Sequence, residues 1–570
     1  MRAKTARLTA GLTTIIAGAL SFISAITPDA PWRREMLLSF EPGPAAGFAH
    51  LLAAVGGVGL VVLGWGIVRG RRRAARTAIV VLVILAVLHL VKGLDYEESS
   101  VALALAVLLS ANRRAFKRGG EPRAGLIAGT VAVGAVAMAY TVDVADLLMT
   151  ERARGLGSAL RMAADAMARG AWWFRSGEPV AIVLDLLLIV CLAAATVWLR
   201  ALLRPVQARY GHTSEEHWRA ADIVARHGAD SLDAFALRED KAFHFSHGGF
   251  LAYRTLRETA VVAGDPVGPP GSGPAIASDF MEFASSRGWD VVFTGISPAQ
   301  LPGLRSLGLR AQCIGQEAVV EPDRFSLDGR PMRKVRQSVH RVQRRGWSVE
   351  VAEDVVPSGR LADEIHRIEQ AWRAERKRVY GFAMCLGRLW GAPEDGRAVY
   401  VLGRDPAGDL QAFIRFVRCA DGLSLDSMRR SGCEPNGLYE AMISSLLGWA
   451  GESRLGLVSL NFAGFAHVMW CDDVSSLTRR ERALRAVLTR AHGRFQLERL
   501  ASFNQKFKPD WRPRYLVYGS RTHLPLAALR VLQAEAYIRP PRGRALERRW
   551  QPLPHPVDAA LRLPPPQASR

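Results

Sequence analysis

The residues best placed to do chemistry lie in one short stretch, Leu423-Ser424-Leu425-Asp426-Ser427-Met428-Arg429-Arg430, followed by Ser431 to Gly437 and an apolar segment from Leu438. The first run reads as a strand. The Pro435-Asn436-Gly437 turn then leads into a helix, whose N-terminus offers backbone N–H groups and the positive end of a dipole. With Arg429 and Arg430 beside it, the turn is a plausible seat for a phosphate. Neither a Walker A sequence nor the spaced glycines of a dinucleotide fingerprint is present.

Two other segments could grip anions. The stretch 330–345 carries Arg333, Lys334, Arg336, Arg341 and Arg344 with no pairing Glu at helical spacing, a surface suited to phosphates; the ordinary alternative is a solvated helix face. The segment Phe503 to Tyr515 contains Lys506 and Lys508, although only eight of the 75 basic residues are lysine. Lys is a compact charge that Arg does not replace. The alternative there is a strand start with its lysines in water. No HExxH, GxSxG or zinc spacing occurs, which argues against metalloprotease and serine hydrolase chemistry, and no metal is expected. His244 and His247 fit a structural strand-turn better than a base.

These segments need a framework. Strands are expected over 249–256, 259–263, 290–294, 398–402, 411–417, 423–427 and 457–462, and helices over 218–227, 275–287, 330–345, 361–378 and 438–451, an alternation that signals an α/β region. The chain before about residue 204 is different material. Six apolar segments, 8–26, 48–68, 77–94, 99–111, 126–149 and 179–199, read as an α-helical transmembrane bundle, the fourth being short. The first could pass for a signal peptide, but the later spans favour an anchor.

Arginines cluster after the second and fourth segments, and Asp95, Glu97 and Glu98 follow the third. Both termini are therefore expected on the cytoplasmic side, although the 152–175 loop, assigned outside, is also basic. His89, Asp143, Asp146 and Asp185 lie in or near spans, where packing is the default and transport the alternative. The formal charge of +22 and pI near 10.5 call for an anionic partner, phospholipid or nucleic acid. Six cysteines without a CxxC pair read as reduced thiols in a cytosolic setting.

The order of Asp240-Lys241, Phe243-His244-Phe245-Ser246, Gly264-Asp265-Pro266-Val267-Gly268, the basic helix, Tyr380-Gly381-Phe382-Ala383-Met384, Asp426-Ser427-Met428-Arg429, Pro435-Asn436-Gly437 and Phe503 to Tyr515 resembles the phosphatidylglycerol lysyltransferase family, also called multiple peptide resistance factors. It is most similar to the membrane-bound transferase half of actinobacterial fusions with a lysyl-tRNA synthetase. The resemblance implies tandem GNAT acyltransferase-like domains, an aminoacyl-tRNA donor, a phosphatidylglycerol acceptor, no cofactor, and residence in the cytoplasmic membrane. The expected layout is a membrane domain at 1–209, a first GNAT-like domain with the basic helix at 210–345, a second, catalytic one at 346–537, and a disordered Pro/Arg-rich tail at 538–570.

Carried onto matching positions, the resemblance implies that Asp426 orients the amino group or hydroxyl, and that Arg429 and Arg430 with Asn436 and Gly437 hold phosphate. It further implies that Lys506 and Arg514 bind the tRNA end or lipid phosphate, with Asn461 supporting from the neighbouring strand. Because no synthetase domain follows Ser520, the donor is expected from a separate aminoacyl-tRNA synthetase. Six spans fall short of a full flippase region. Transfer to another lipid or peptide acceptor, or a silent membrane scaffold or lipid sensor, are the competing readings; the transferred amino acid and the oligomeric state are not legible.

Overall fold

A computed structural model describes residues 2–26, 43–93, 95–113, 154–160, 211–354, 356–375, 381–432, 434–464, 502–520 and 523–538, with isolated positions elsewhere in the N-terminal part. Most of the fifth and sixth apolar segments, Tyr380 and all but the first residue of the 538–570 tail lie outside the described residues. Two compact units are present, residues 1–207 with 283–289, and residues 208–282 with 290–570.

The N-terminal unit contains helices α1 (Arg2–Ile26), α2 (Gly43–Val68), α3 (Arg72–Gly93) and α4 (Tyr96–Ala111). Two segments, Thr5–Ser24 and Arg72–Leu90, are long and apolar enough to cross a membrane. Leu8, Leu12, Ile16, Leu20 and Ile23 point outward from α1, an apolar exterior that water would penalise. Glycines set the approach of α1 to α2: a Cβ on Gly18 would lie 2.6 Å from the Gly57 carbonyl oxygen, so only a bare backbone fits there.

The second unit is built on one mixed eleven-stranded sheet in the order β1-β2-β3-β4-β11-β5-β10-β9-β8-β7-β6. Helix α5 (Ser214–His227) opens it with a Thr213/Glu216 capping box, in which each side chain bonds the other's backbone N–H. There follow the antiparallel β1 (Ala242–Ser246), β2 (Gly249–Leu256) and β3 (Thr259–Ala263). The crossover helix α6 (Gly273–Ser286) returns the chain to β4 (Asp290–Ile296), parallel to β3, and the short α7 (Leu301–Ser306) leads to β5 (Arg310–Val320).

After α8 (Arg333–Arg344) the same plan recurs. Strand β6 (Ser348–Ala352) and α9 (Gly359–Glu375) precede the antiparallel β7 (Val399–Arg404), β8 (Leu410–Cys419) and β9 (Gly422–Arg430). The crossover helix α10 (Leu438–Glu452) then places β10 (Leu457–Gly464) parallel to β9. Strand β11 (Asp510–Tyr518) inserts between β4 and β5, antiparallel to both, and α11 (Leu524–Ala534) follows.

Apolar periodicity explains the layers. Val335 and Val342 of α8, and Ala441, Met442, Leu446 and Leu447 of α10, bury against Ile414, Phe416, Leu423, Leu425 and Val458 on one face of the sheet. Ile365 and Ile368 of α9 bury with Tyr400, Leu402 and Phe413 on the other.

Candidate functional site

The two halves differ at their parallel strand pairs. β3 and β4 stay in register over the full length of β3, from Thr259↔Asp290 to Ala263↔Thr294, whereas β9 and β10 pair only from Gly422↔Leu457 to Ser424↔Ser459 and then part. A gap between diverging parallel strands, beyond their C-terminal ends, is where open α/β sheets receive ligands.

Two irregularities shape this gap. On β9, Arg415 faces Ser427 and Phe416 faces Leu425, which leaves Asp426 as the extra residue of a β-bulge. On β10 the register against β5 shifts between Ser459 and Phe462, and Asn461 within that shift takes φ 71°. Asn tolerates this left-handed backbone, and its side chain fills the opening. Its Nδ2 donates to Leu425 O and Met384 O, each at 2.7 Å, and its Oδ1 accepts from Phe462 N at 2.7 Å.

The loop Gly381 to Leu386 is fastened beside the gap from many directions. Phe382 N and Ala383 N donate to Glu535 at 2.6 and 3.2 Å, and Arg238 donates to Gly381 O at 2.7 Å. Leu386 N donates to Asp426 Oδ1 at 2.8 Å. Lys241 Nζ lies 4.8 Å from the Phe382 ring centre and donates to Phe235 O; burial brings its pKa down from 10.5 to about 7. Burial likewise raises the Glu535 carboxyl above its usual range and pushes the Cys385 thiol up to about 12.

Beneath the loop runs a buried charge network. Asp426 Oδ2 accepts from Arg415 at 2.6 Å, and Arg415 reaches on to Asp395 at 2.5 Å. Arg388 bonds Asp395 and Glu394, and Glu394 pairs with His217 at 2.8 Å. Burial alone would raise the Glu394 carboxyl, but the His217 bond and the Arg388 charge bring it to about 2.

Beyond the C-terminal end of β9 the chain turns into the start of α10. Gly437, at φ 102°, precedes it with no side-chain cap, and an added Cβ would lie 2.7 Å from Ser338 Cβ of α8. Arg341 of α8 donates to Asn436 O at 3.2 Å, Arg430 pairs with Glu434 at 2.6 Å, and Lys506, partly exposed, reaches Glu440 in the first turn of α10 at 2.6 Å. The turn at Gln505–Phe507 is anchored by Phe507 in the core shared with α8 and α10. Arg333, Lys334 and Arg344 are exposed on α8. The structure thus assembles Asn436, Gly437, Arg430, Arg341 and Lys506 around one helix N-terminus, where an anion is favoured.

Four expectations need correction. Arg514 does not face a substrate: it is buried, with bonds to Glu317, to Asp230 at 2.9 Å and to Ser231 at 2.8 Å, and so ties β11 to β5 and the loop after α5. Arg429 is also buried, paired with Glu369 at 2.8 Å and stacked 3.6 Å from the Trp372 ring centre, because it lies on the α9 face of β9. Arg336 is spent on Leu327 O and on Gly329 O at 3.2 Å. Asp426 has one oxygen on Arg415 and the other on Leu386 N, so both oxygens are engaged within the protein, where they fasten the loop. Sequence reasoning missed Arg415, Asp395 and Glu535. A lone Arg between Ile414 and Phe416, matched by a lone Asp in the next strand, was the available signal. It also missed Ser427, whose buried Oγ has no hydrogen-bond partner among the described residues.

Gly437→Ala tests this geometry. The left-handed backbone costs roughly 1–3 kcal/mol for a non-glycine residue, and the new methyl also drives α8 from α10. We expect the activity of this site to fall at least about tenfold, the equivalent of 1.4 kcal/mol. Ser338→Gly on the same chain should restore part of it, measured as activity of the double variant.

A family model described as phosphatidylglycerol lysyltransferase, C-terminal, matches residues 221–518. The chain is 33% identical over 362 residues to the lysylphosphatidylglycerol biosynthesis bifunctional protein LysX of Rhodococcus jostii, covering 62% of this chain and 32% of that protein. It is 34% identical over 332 residues to the Mycobacterium avium protein of the same name, covering 57% and 28%. The chain therefore spans about a third of the length of these curated relatives. The structure of L-PGS from Bacillus licheniformis superimposes with a TM-score of 0.50 at 24% identity, over 58% of this chain and 99% of that one, a likeness of fold.

Proposed function

Because the chain belongs to the phosphatidylglycerol lysyltransferase family, we propose that it transfers an amino acid, lysine in the first instance, from aminoacyl-tRNA to a hydroxyl of phosphatidylglycerol at the cytoplasmic membrane. The observation that carries the reading is the β9–β10 gap, together with the uncapped N-terminus of α10, which follows β9, and the cations around it. The donor ester is already activated. The glycerol oxygen forms a bond to the acyl carbon as the bond to the ribose oxygen breaks, and the proton of the attacking hydroxyl ends on that ribose oxygen. One ester replaces another, so the protein has to align two anionic molecules and stabilise a transient oxyanion.

In this reading the seat formed by Asn436, Gly437, Arg430, Arg341 and Lys506 takes a phosphate of the lipid or of the tRNA end. Arg333, Lys334 and Arg344 receive a neighbouring phosphate. Asp426 and Asn461 hold the Gly381–Leu386 loop against the gap as positioning residues. The repeated strand order supports tandem GNAT-like domains, expected at 210–345 and 346–537, with β11 of the second crossing over to complete the sheet of the first. The N-terminal helices would anchor the transferase in a multi-pass arrangement with both termini cytoplasmic, and the product would make the surface less anionic, favouring resistance to cationic peptides.

Expression in a host lacking aminoacylated lipids, followed by chromatography of extracted lipid with ninhydrin staining, tests the reading. A new amino-positive phosphatidylglycerol is expected. Its absence alongside an amino-positive product on a different lipid or peptide would favour the other-acceptor reading, and no product at all would favour a scaffold.

The basic helix makes a separate prediction. Replacing Arg333, Lys334, Arg344 and Arg345 together by Gln should weaken tRNA binding and flatten the plot of log affinity against log salt by roughly 3, since each phosphate that the protein stops neutralising takes a little under 1 from the slope. An unchanged slope in a filter-binding series would place the tRNA elsewhere.

A further inference from the structure

We propose that His89, Asp95 and Glu98 form a binding site for one divalent cation of the zinc class at the turn between α3 and α4. The three residues offer one imidazole nitrogen and two carboxylate oxygens, all within 4.8 Å of one another. Small side-chain rotations bring such a set to the distances of about 2.0–2.2 Å that zinc requires from nitrogen and oxygen.

The backbone builds this spacing. Asp95 N donates to His89 O at 3.0 Å, folding the turn back over the end of α3, and Ser99 N donates to Asp95 O at 3.0 Å, starting α4. His89 is fully buried within an apolar helix and Asp95 is nearly so, while the Glu98 side chain is 37% exposed, leaving an entry path on that side.

The imidazole supplies the second observation. His89 Nε2 lies 3.2 Å from Ser21 Oγ of α1, a contact that fixes the ring and aims Nδ1 into the cluster. Nδ1 stands 2.8 Å from Glu98 Oε2 without forming a hydrogen bond. Ser24 Oγ donates to Glu98 Oε2 at 2.9 Å. The two serines thus orient the imidazole and one carboxylate from a different helix, the arrangement by which outer hydrogen bonds fix metal ligands.

One nitrogen with two carboxylates suits zinc, cobalt or manganese better than magnesium or calcium, which prefer oxygen alone. The bound ion would staple α3 to α4, while Ser21 and Ser24 of α1 hold two of its ligands. The site is independent of the transfer reaction.

The test uses the full-length protein in detergent micelles, stripped with chelator and titrated with Zn²⁺ against a chromogenic competitor. The unaltered chain should take up one tight equivalent. Glu98→Gln and His89→Gln should each weaken that equivalent by more than tenfold, and Ser21→Ala by about tenfold. Co²⁺ in place of Zn²⁺ should give visible ligand-field bands that disappear in the same variants. Glu98→Gln is isosteric and lies at the surface, so it carries the test even if His89→Gln disturbs folding. No tight equivalent in the unaltered chain, or one that survives Glu98→Gln and His89→Gln alike, overturns the proposal and leaves an ordinary histidine–carboxylate contact only.

Discussion

Replacing Arg415 with methionine should destabilise the chain by about 3–5 kcal/mol and abolish transfer, because it strands two buried carboxylates. The Arg415 side chain is fully enclosed, and it bonds Asp395 at 2.5 Å and Asp426 at 2.6 Å. Methionine matches its aliphatic stem but supplies no charge, so Asp395 keeps Arg388 and the Ala392 N–H, and Asp426 only the Leu386 N–H. Losing Asp426 from its position also unlatches the Gly381–Leu386 loop beside the strand gap.

The same geometry separates a positioning role for Asp426 from a chemical one. Asp426→Asn keeps an acceptor for Leu386 N and should retain much of the transfer rate, whereas Asp426→Ala should lose it. Equal loss in both, with the unfolding temperature of Asp426→Asn unchanged, would mean that the carboxylate charge itself acts on the substrate. Thermal unfolding and turnover of the three variants decide the matter.

Lys241 should make stability rise with pH across the alkaline range. Its folded-state pKa, about 7, lies below the ordinary 10.5 because burial disfavours the charged form. Between those values the unfolded chain holds a proton that the folded chain lacks, so raising the pH favours folding. The full effect is on the order of 4–5 kcal/mol at 1.36 kcal/mol per pKa unit.

Asp265 works in the opposite sense at lower pH. Burial lifts its pKa from 3.8 to about 7, so the folded chain holds the extra proton and stability falls as pH rises through that interval. Together the two groups predict a shallow stability minimum near neutrality. Lys241→Met should flatten the alkaline limb, measured as unfolding midpoint from roughly pH 7 to pH 9.5, inside the window that the two Lys241 values bound; a limb of unchanged slope would show that Lys241 is not the group responsible.

What the sequence disclosed follows from what local pattern can encode. Strands β2 and β3 are apolar, branched and bounded by turns, and the expected ranges 249–256 and 259–263 match them. Helices α8 and α10 carry their own periodicity, and Gly437 announces the start of α10. Strands β5 and β11 were hidden because what makes them strands is each other. Asp510 pairs with Val319 far upstream, β11 contains Pro513 and three charged residues, and its Arg514 finds Glu317 only after folding.

The same physics explains the site. Asn461, Gly437 and Lys506 stood out by residue type and turn chemistry. Arg429 and Asp426 fell in a run read as a strand, Arg514 in no expected strand, and all three were assigned to substrate, since a charge reads as surface until its buried partner is known. The gap between β9 and β10 is a property of two strands' registers, which no single segment contains.

The most direct measurement is transfer by the full-length protein reconstituted in phosphatidylglycerol vesicles with radiolabelled lysyl-tRNA. Label should move from tRNA into the lipid phase in the unaltered protein, and fall sharply in Gly437→Ala. Label that stays on tRNA, or returns only as free lysine, in vesicles whose protein binds tRNA normally would contradict the assignment of the strand gap as a lipid aminoacylation site.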